Sequence, residues 1–152
     1  MGLDMYLSKK TYVKNWDHMT PEERCTVTIS GRRSGDIKPE RISYIVEEVA
    51  YWRKANAIHK WFVDNVQDGV DDCKPHYVEL ENLQELRDLC LKVLNGEAKA
   101  EDALPPQDGF FFGDTDIDEY YMEDLRDTVK VLDEILSEEN SGYCEFEYRS
   151  SW

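Results

Sequence analysis

The stretch Glu48-Val49-Ala50-Tyr51-Trp52-Arg53-Lys54-Ala55-Asn56-Ala57-Ile58-His59-Lys60-Trp61-Phe62-Val63-Asp64-Asn65-Val66-Gln67-Asp68-Gly69-Val70-Asp71-Asp72-Cys73 decides how this chain is read. At 100° per residue, Ala55, Phe62 and Val66 fall on one stripe, with His59 on it and Trp52 and Asn56 at its edge. The spacing predicts a helix from about Tyr51 to Gln67, closed where Gly69 supplies a left-handed C-cap. Just upstream, Ile42, Tyr44 and Val46 alternate with polar neighbours, which predicts a strand running into that helix. A helix that turns His, Asn and Trp inward either satisfies a buried polar network or lines a pocket.

Outward from this centre, residues 3–14 and 25–30 read as strands, and Gly31 to Asp36 as an exposed basic turn. His76 to Leu80 suits a short strand. Leu83, Leu86, Cys90 and Val93 define a helix ended by Gly96. Pro105-Pro106 breaks the chain before Gln107-Asp108-Gly109-Phe110-Phe111-Phe112-Gly113, where three consecutive Phe cannot all share one face of a strand. Asp116 and Glu119 have capping-box spacing and open the longest helix, with Tyr121, Leu125, Val129, Leu132 and Leu136 as its buried stripe. After Gly142, Cys144, Phe146 and Tyr148 alternate with Glu145, Glu147 and Arg149 in a closing strand. The elements do not alternate as βαβ units. The expected fold is therefore α+β: a single domain over residues 1–152, with a small, mostly antiparallel sheet of four or five strands packed with three helices.

A chain of 152 residues can bury about two-thirds of its unfolded surface, and five Phe, nine Tyr and four Trp supply large burial per residue. No run approaches the ~20 apolar residues of a membrane span, and the first residues lack a secretory pattern. The expected location is cytoplasmic, the host cytoplasm if the chain is phage-encoded. Cys25, Cys73, Cys90 and Cys144 are scattered without a Cys-x-x-Cys pair and are expected as free thiols. Charge is uneven: residues 1–60 carry 11 Lys and Arg against 8 Asp and Glu, and the remainder 7 against 25. So acidic a second half repels phosphate backbones, which argues against direct nucleic-acid or membrane binding. The same acidity confers solubility, or imitates DNA so as to occupy a nucleic-acid-binding protein.

Several constellations could carry chemistry. Arg53 and Lys60, seven apart on the predicted helix and extended by Gln67, could hold a phosphate or carboxylate. His59 is either a hydrogen-bonded core residue or a general base, and Asn56 one turn earlier adds polar groups that need partners. If the Asp71-Asp72-Cys73 loop folds back, Cys73 could meet His59, with Asp71 or Asp72 orienting the imidazole, as in a cysteine-dependent hydrolase or transferase. A helix C-terminus nearby disfavours such a thiolate. Cys73-x-x-His76 with His59 fits no common zinc spacing. Asp114-x-Asp116-x-Asp118 resembles the front of a calcium loop but lacks its Gly and its distal Glu, Leu125 standing in the last position. No metal and no cofactor is expected. Glycine-rich phosphate loops, His-Glu-x-x-His and Gly-x-Ser-x-Gly are absent, so the balance leans away from an enzyme.

The blocks Met1–Leu7, Tyr51-Trp52-Arg53-Lys54 with Asn56 and His59, Asp68-Gly69-Val70-Asp71 with Cys73, Leu104-Pro105 with Gly109-Phe110-Phe111-Phe112-Gly113, and Ser151-Trp152 resemble those of a family of small, largely uncharacterised bacterial and phage proteins opening Met-Gly-Leu-Asp-Met-Tyr-Leu. Some members bear a phosphoglycerate-kinase label, but this chain lacks the size, two-domain build and glycine-rich nucleotide site that label requires. The resemblance implies that Trp52, Arg53, Lys54, Asn56, His59, Phe111 and Trp152 converge on one pocket. Cations and amides there would serve an anion, and aromatics a flat ring. The expected function is a binding protein that sequesters a small anionic, nucleotide-like ligand, as in phage counter-defence. An acidic interaction protein acting on a basic partner is the first alternative, and a cysteine-dependent enzyme using Cys73, His59 and Asp71 the second.

Overall fold

The computed structural model describes residues 2–140 and 142–152. Met1, the first residue of the opening block, lies outside them. The elements run β1 (Asp4–Tyr12), β2 (Thr28–Ile29), β3 (Arg32–Arg33), β4 (Tyr44–Arg53), α1 (Asn56–Val66), β5 (His76–Val78), α2 (Leu80–Leu94), α3 (Ala100–Ala103), α4 (Glu119–Ser137) and β6 (Cys144–Ser151). β4, β1, β6 and β5 form a four-stranded sheet in that order, antiparallel throughout, and β2–β3 is a separate ribbon. The fold is thus α+β, with one more helix than expected, the single turn α3. Among the described residues no helix is long and apolar enough to cross a membrane.

Alternation fixes which sheet face is covered. Leu3, Met5 and Leu7 are buried with Ala50, Trp52, Phe146 and Tyr148, and pack on Phe62, Leu83, Leu86, Leu125 and Leu132 of the helices. Between Leu7↔Ala50 and Ser8↔Glu48 the register slips by one residue, leaving Val49 as a bulge. Beyond it the five residues Tyr44–Glu48 are all exposed.

Three boundaries differ from the sequence reading. Tyr51, Trp52 and Arg53 are not helical: they pair with Tyr6, Met5 and Asp4, because aromatic residues fit a pleated strand and β1 supplies a ladder. The helix starts only at Asn56, after Lys54 reverses the chain at φ 56°. Arg53 and Lys60 therefore do not share a helix face. The strand expected over 25–30 shrinks to Thr28–Ile29, turned by Ser30 and Gly31, both at positive φ as a two-residue hairpin demands. The cap of α4 is Asp118, whose carboxylate accepts from Tyr121 N–H, in place of Asp116. Of its expected stripe, Val129 and Leu136 are only half-buried, while Thr128 and Ile135 complete the inner face. Other expectations hold: Gly69 and Gly96 have positive φ, Leu83, Leu86, Cys90 and Val93 are buried, and Phe110 points to solvent while Phe112 points inward.

Candidate functional site

Asn56 is the pivot of the region. Its Nδ2 donates to the carbonyls of Phe112 (3.0 Å) and Asp114 (2.8 Å), and its Oδ1 accepts from Gln107 N–H (3.0 Å). The side chain, only 5% exposed, thus clamps both ends of the Phe-rich loop to the start of α1. Leu3 N–H donates to Phe111 O and Lys54 N–H to Leu3 O, tying loop, β1 and the end of β4 together. Two glycines permit the approach. A Cβ at Gly109 would lie 2.8 Å from the Phe112 ring, and one at Gly113, where φ is +86°, 3.2 Å from Lys54 Cβ.

One side of this clamp opens a cavity of about 290 Å³ lined by Arg53, Lys54, the first turn of α1, Gly113, three loop aspartates (Asp114, Asp116 and Asp118), Tyr120 and Asp124. The first turn of α1 has no side-chain cap. Asn56 N–H folds back to Lys54 O and His59 N–H bonds Ala55 O, so among the described residues the Ala57 and Ile58 N–H groups keep no acceptor. A helix N-terminus with free N–H groups, flanked by two cations, favours an anion. The opposite wall is acidic. Oxygens of Asp114, Asp116 and Asp118 lie within 4.8 Å of one another, a spacing that could hold a divalent cation. Burial, then Asp127, Glu123 and Asp118, push the Asp124 carboxyl up to about 6.

On the other side of the clamp lies a closed polar chain. Fully buried His59 bonds the Tyr148 hydroxyl through Nδ1 (2.7 Å) and Asp71 through Nε2 (2.8 Å), and the second oxygen of Asp71 accepts from Trp152 Nε1 (3.1 Å). Burial raises the Tyr148 phenol well above its ordinary range. In a neutral imidazole whose Nε2–H donates to Asp71, Nδ1 accepts from the Tyr148 hydroxyl. Phe112 meets His59 edge-on at 5.2 Å and Trp152 at 6.0 Å, and Tyr148 stacks on Phe62 at 3.9 Å.

The expected site residues therefore divide into two groups. Arg53, Lys54 and Asn56 line the cavity, with Arg53 also 3.8 Å from Asp4. His59, Asp71 and Trp152 join in the buried chain. Trp52 turns into the core and donates to Thr128 Oγ1 (2.9 Å), and Phe111 contributes its carbonyl to Leu3 while its ring meets Phe110. Cys73 is half-buried at φ 56°; His59 has both nitrogens occupied, and no Cys73–His59 bond forms among the described residues. Next to it Asp72 bonds His76 Nε2 (2.8 Å), which with the Lys74 N–H holds that carboxyl below its usual range. Sequence reasoning missed Tyr148 and Thr128. A phenol on the inward face of a strand needs a buried partner, which was the available signal for Tyr148. Comparisons with protein-family models, with curated proteins and with solved structures give no match.

Proposed function

We propose that the chain is a non-catalytic binding protein for a small phosphate-bearing, nucleotide-like anion, taken up together with a divalent cation. The observation that carries this reading is the uncapped N-terminus of α1 opening, between Arg53 and Lys54, into a cavity of ligand size. The aspartates on the far wall would repel a bare phosphate; a cation held between the two resolves that conflict. Tyr120, exposed at the rim, offers a ring for stacking. Kinship with the bacterial and phage family named above, and sequestration of a defence signal as the use, belong to the same proposal.

Calorimetric titration with linear and cyclic nucleotides, with and without Mg²⁺, tests it. Binding should require the metal, and Arg53→Ala should weaken it at least about tenfold. Absence of heat for every nucleotide in both conditions, with the protein folded, overturns the reading.

A second reading, an acidic protein that engages a basic partner, is favoured by the crowding of Asp118, Glu123 and Asp127 around Asp124. Salt-sensitive binding to a basic DNA-binding protein, lost when Asp124 and Asp127 are reversed to Lys, is its test.

A further inference from the structure

The outer edge of β4 is open. Among the described residues no strand pairs with it, and its first half, Tyr44–Glu48, is exposed on both faces, Val46 by 62%. Edge strands are ordinarily blunted by charged side chains, a proline, a bulge or a covering element. Tyr44, Ile45 and Val46 carry no such guard; the charges of Glu47 and Glu48 and the bulge at Val49 come after them. The direction of the free backbone groups can be read. Ser43 O accepts from Val13 N–H and Lys54 N–H donates to Leu3 O, so both point inward. Antiparallel alternation then aims the N–H and C=O of Tyr44, Val46 and Glu48 away from the sheet.

We propose that this edge is a homodimer interface, in which β4 of a second copy pairs antiparallel about a two-fold axis through Val46 and extends the sheet to eight strands. In that register Val46 faces Val46, Tyr44 faces Glu48 and Ile45 faces Glu47 of the second copy. The outward groups of Tyr44, Val46 and Glu48 all find partners, about six hydrogen bonds in total. No glutamate lies opposite a glutamate, whereas a two-fold axis through Glu47 would oppose the two Glu47 side chains. Charge is complementary as well. Lys10 Nζ sits 4.3 Å above the Tyr44 ring, on the face where Glu48 of the second copy arrives. The interface is isologous and self-closing, so it stops at two copies.

The contact is small, which sets the dimer in the micromolar range, and the net charge of −15 on each copy opposes it. Salt should therefore strengthen association, the reverse of binding to a basic partner. The test is sedimentation velocity of the full chain from about 1 to about 500 µM at low and at high salt. A concentration-dependent dimer, favoured by salt, is expected. Val46→Lys places like charges together at the axis and should weaken it at least about tenfold. Val46→Cys should cross-link to itself through a short bis-maleimide, whereas Tyr44→Cys alone should not. A monomer at every concentration and salt overturns the proposal. So does a dimer that survives Val46→Lys without the Val46→Cys cross-link. Neither result bears on nucleotide binding, which resides on the far end of β4.

Discussion

Replacing Asn56 by Asp keeps the shape of the clamp and reverses half of its polarity. The Oδ1 acceptor for Gln107 N–H survives, but the two donors to Phe112 O and Asp114 O become a carboxylate oxygen facing two carbonyl oxygens. Two lost hydrogen bonds cost about 1 kcal/mol each, and a buried charge facing two dipoles of the wrong sign adds about 1–3 kcal/mol. The expected loss at neutral pH is about 3–5 kcal/mol. The sign of its pH dependence follows from the same geometry. The fold disfavours the ionised form, so the folded carboxyl titrates above the unfolded value of about 3.9. The penalty is complete above the folded pKa and shrinks as pH falls through it, because the protonated acid can again donate to one carbonyl. Urea denaturation of wild type, Asn56→Asp and Asn56→Ala across pH 4 to 8 reads this out. Asn56→Ala should lose a pH-independent amount. An Asn56→Asp variant within about 1 kcal/mol of wild type at pH 7, or one whose deficit grows on acidification, would refute the clamp.

Thr128→Val leaves the buried Trp52 indole N–H without an acceptor and should cost about 1–3 kcal/mol in denaturant unfolding, whereas Thr128→Ser should stay near wild type. Asp124→Asn should stabilise the protein above pH 6 by about 1 kcal/mol after allowance for solvent screening, since the raised carboxyl costs stability only where it is ionised. That advantage should fade as pH drops from about 6 toward 4, and a stability difference that does not change with pH contradicts the assignment. Asp71→Ala strands the Nε2 of fully buried His59 and should cost about 2–3 kcal/mol, while Trp152→Phe, which removes one half-exposed bond, should cost under about 1 kcal/mol. Equal thermal shifts in the two variants would contradict the buried chain.

Periodicity made much of the fold legible. The alternations of Cys144, Phe146 and Tyr148, and the spacing from Leu83 to Val93, are set by burial on one face, which a sequence displays directly. The end of β4 was not legible, because Tyr51 to Arg53 suit helix or strand equally by pattern; pairing with β1, more than 40 residues earlier, made the choice. The candidate site shows the same division. His59, Asp71, Trp152 and the Phe-rich loop do meet, but their hydrogen-bonding capacity is spent on one another, and no linear pattern reveals whether a polar group is already satisfied. The free N–H groups of α1 were hidden because the helix start was placed too early.

β6 lies between β1 and β5, so the most C-terminal strand of the sheet closes its middle, with Lys9 beside Phe146 and Leu7 beside Tyr148. A nascent chain that has just released β1 from the ribosome must hold Asp4 to Thr11, Met5 and Leu7 among them, unpaired on that flank until residues 144–151 emerge, whatever follows them. The resulting delay gives chaperones a long window, and the high sequence separation across the central ladder should place refolding among the slower small domains.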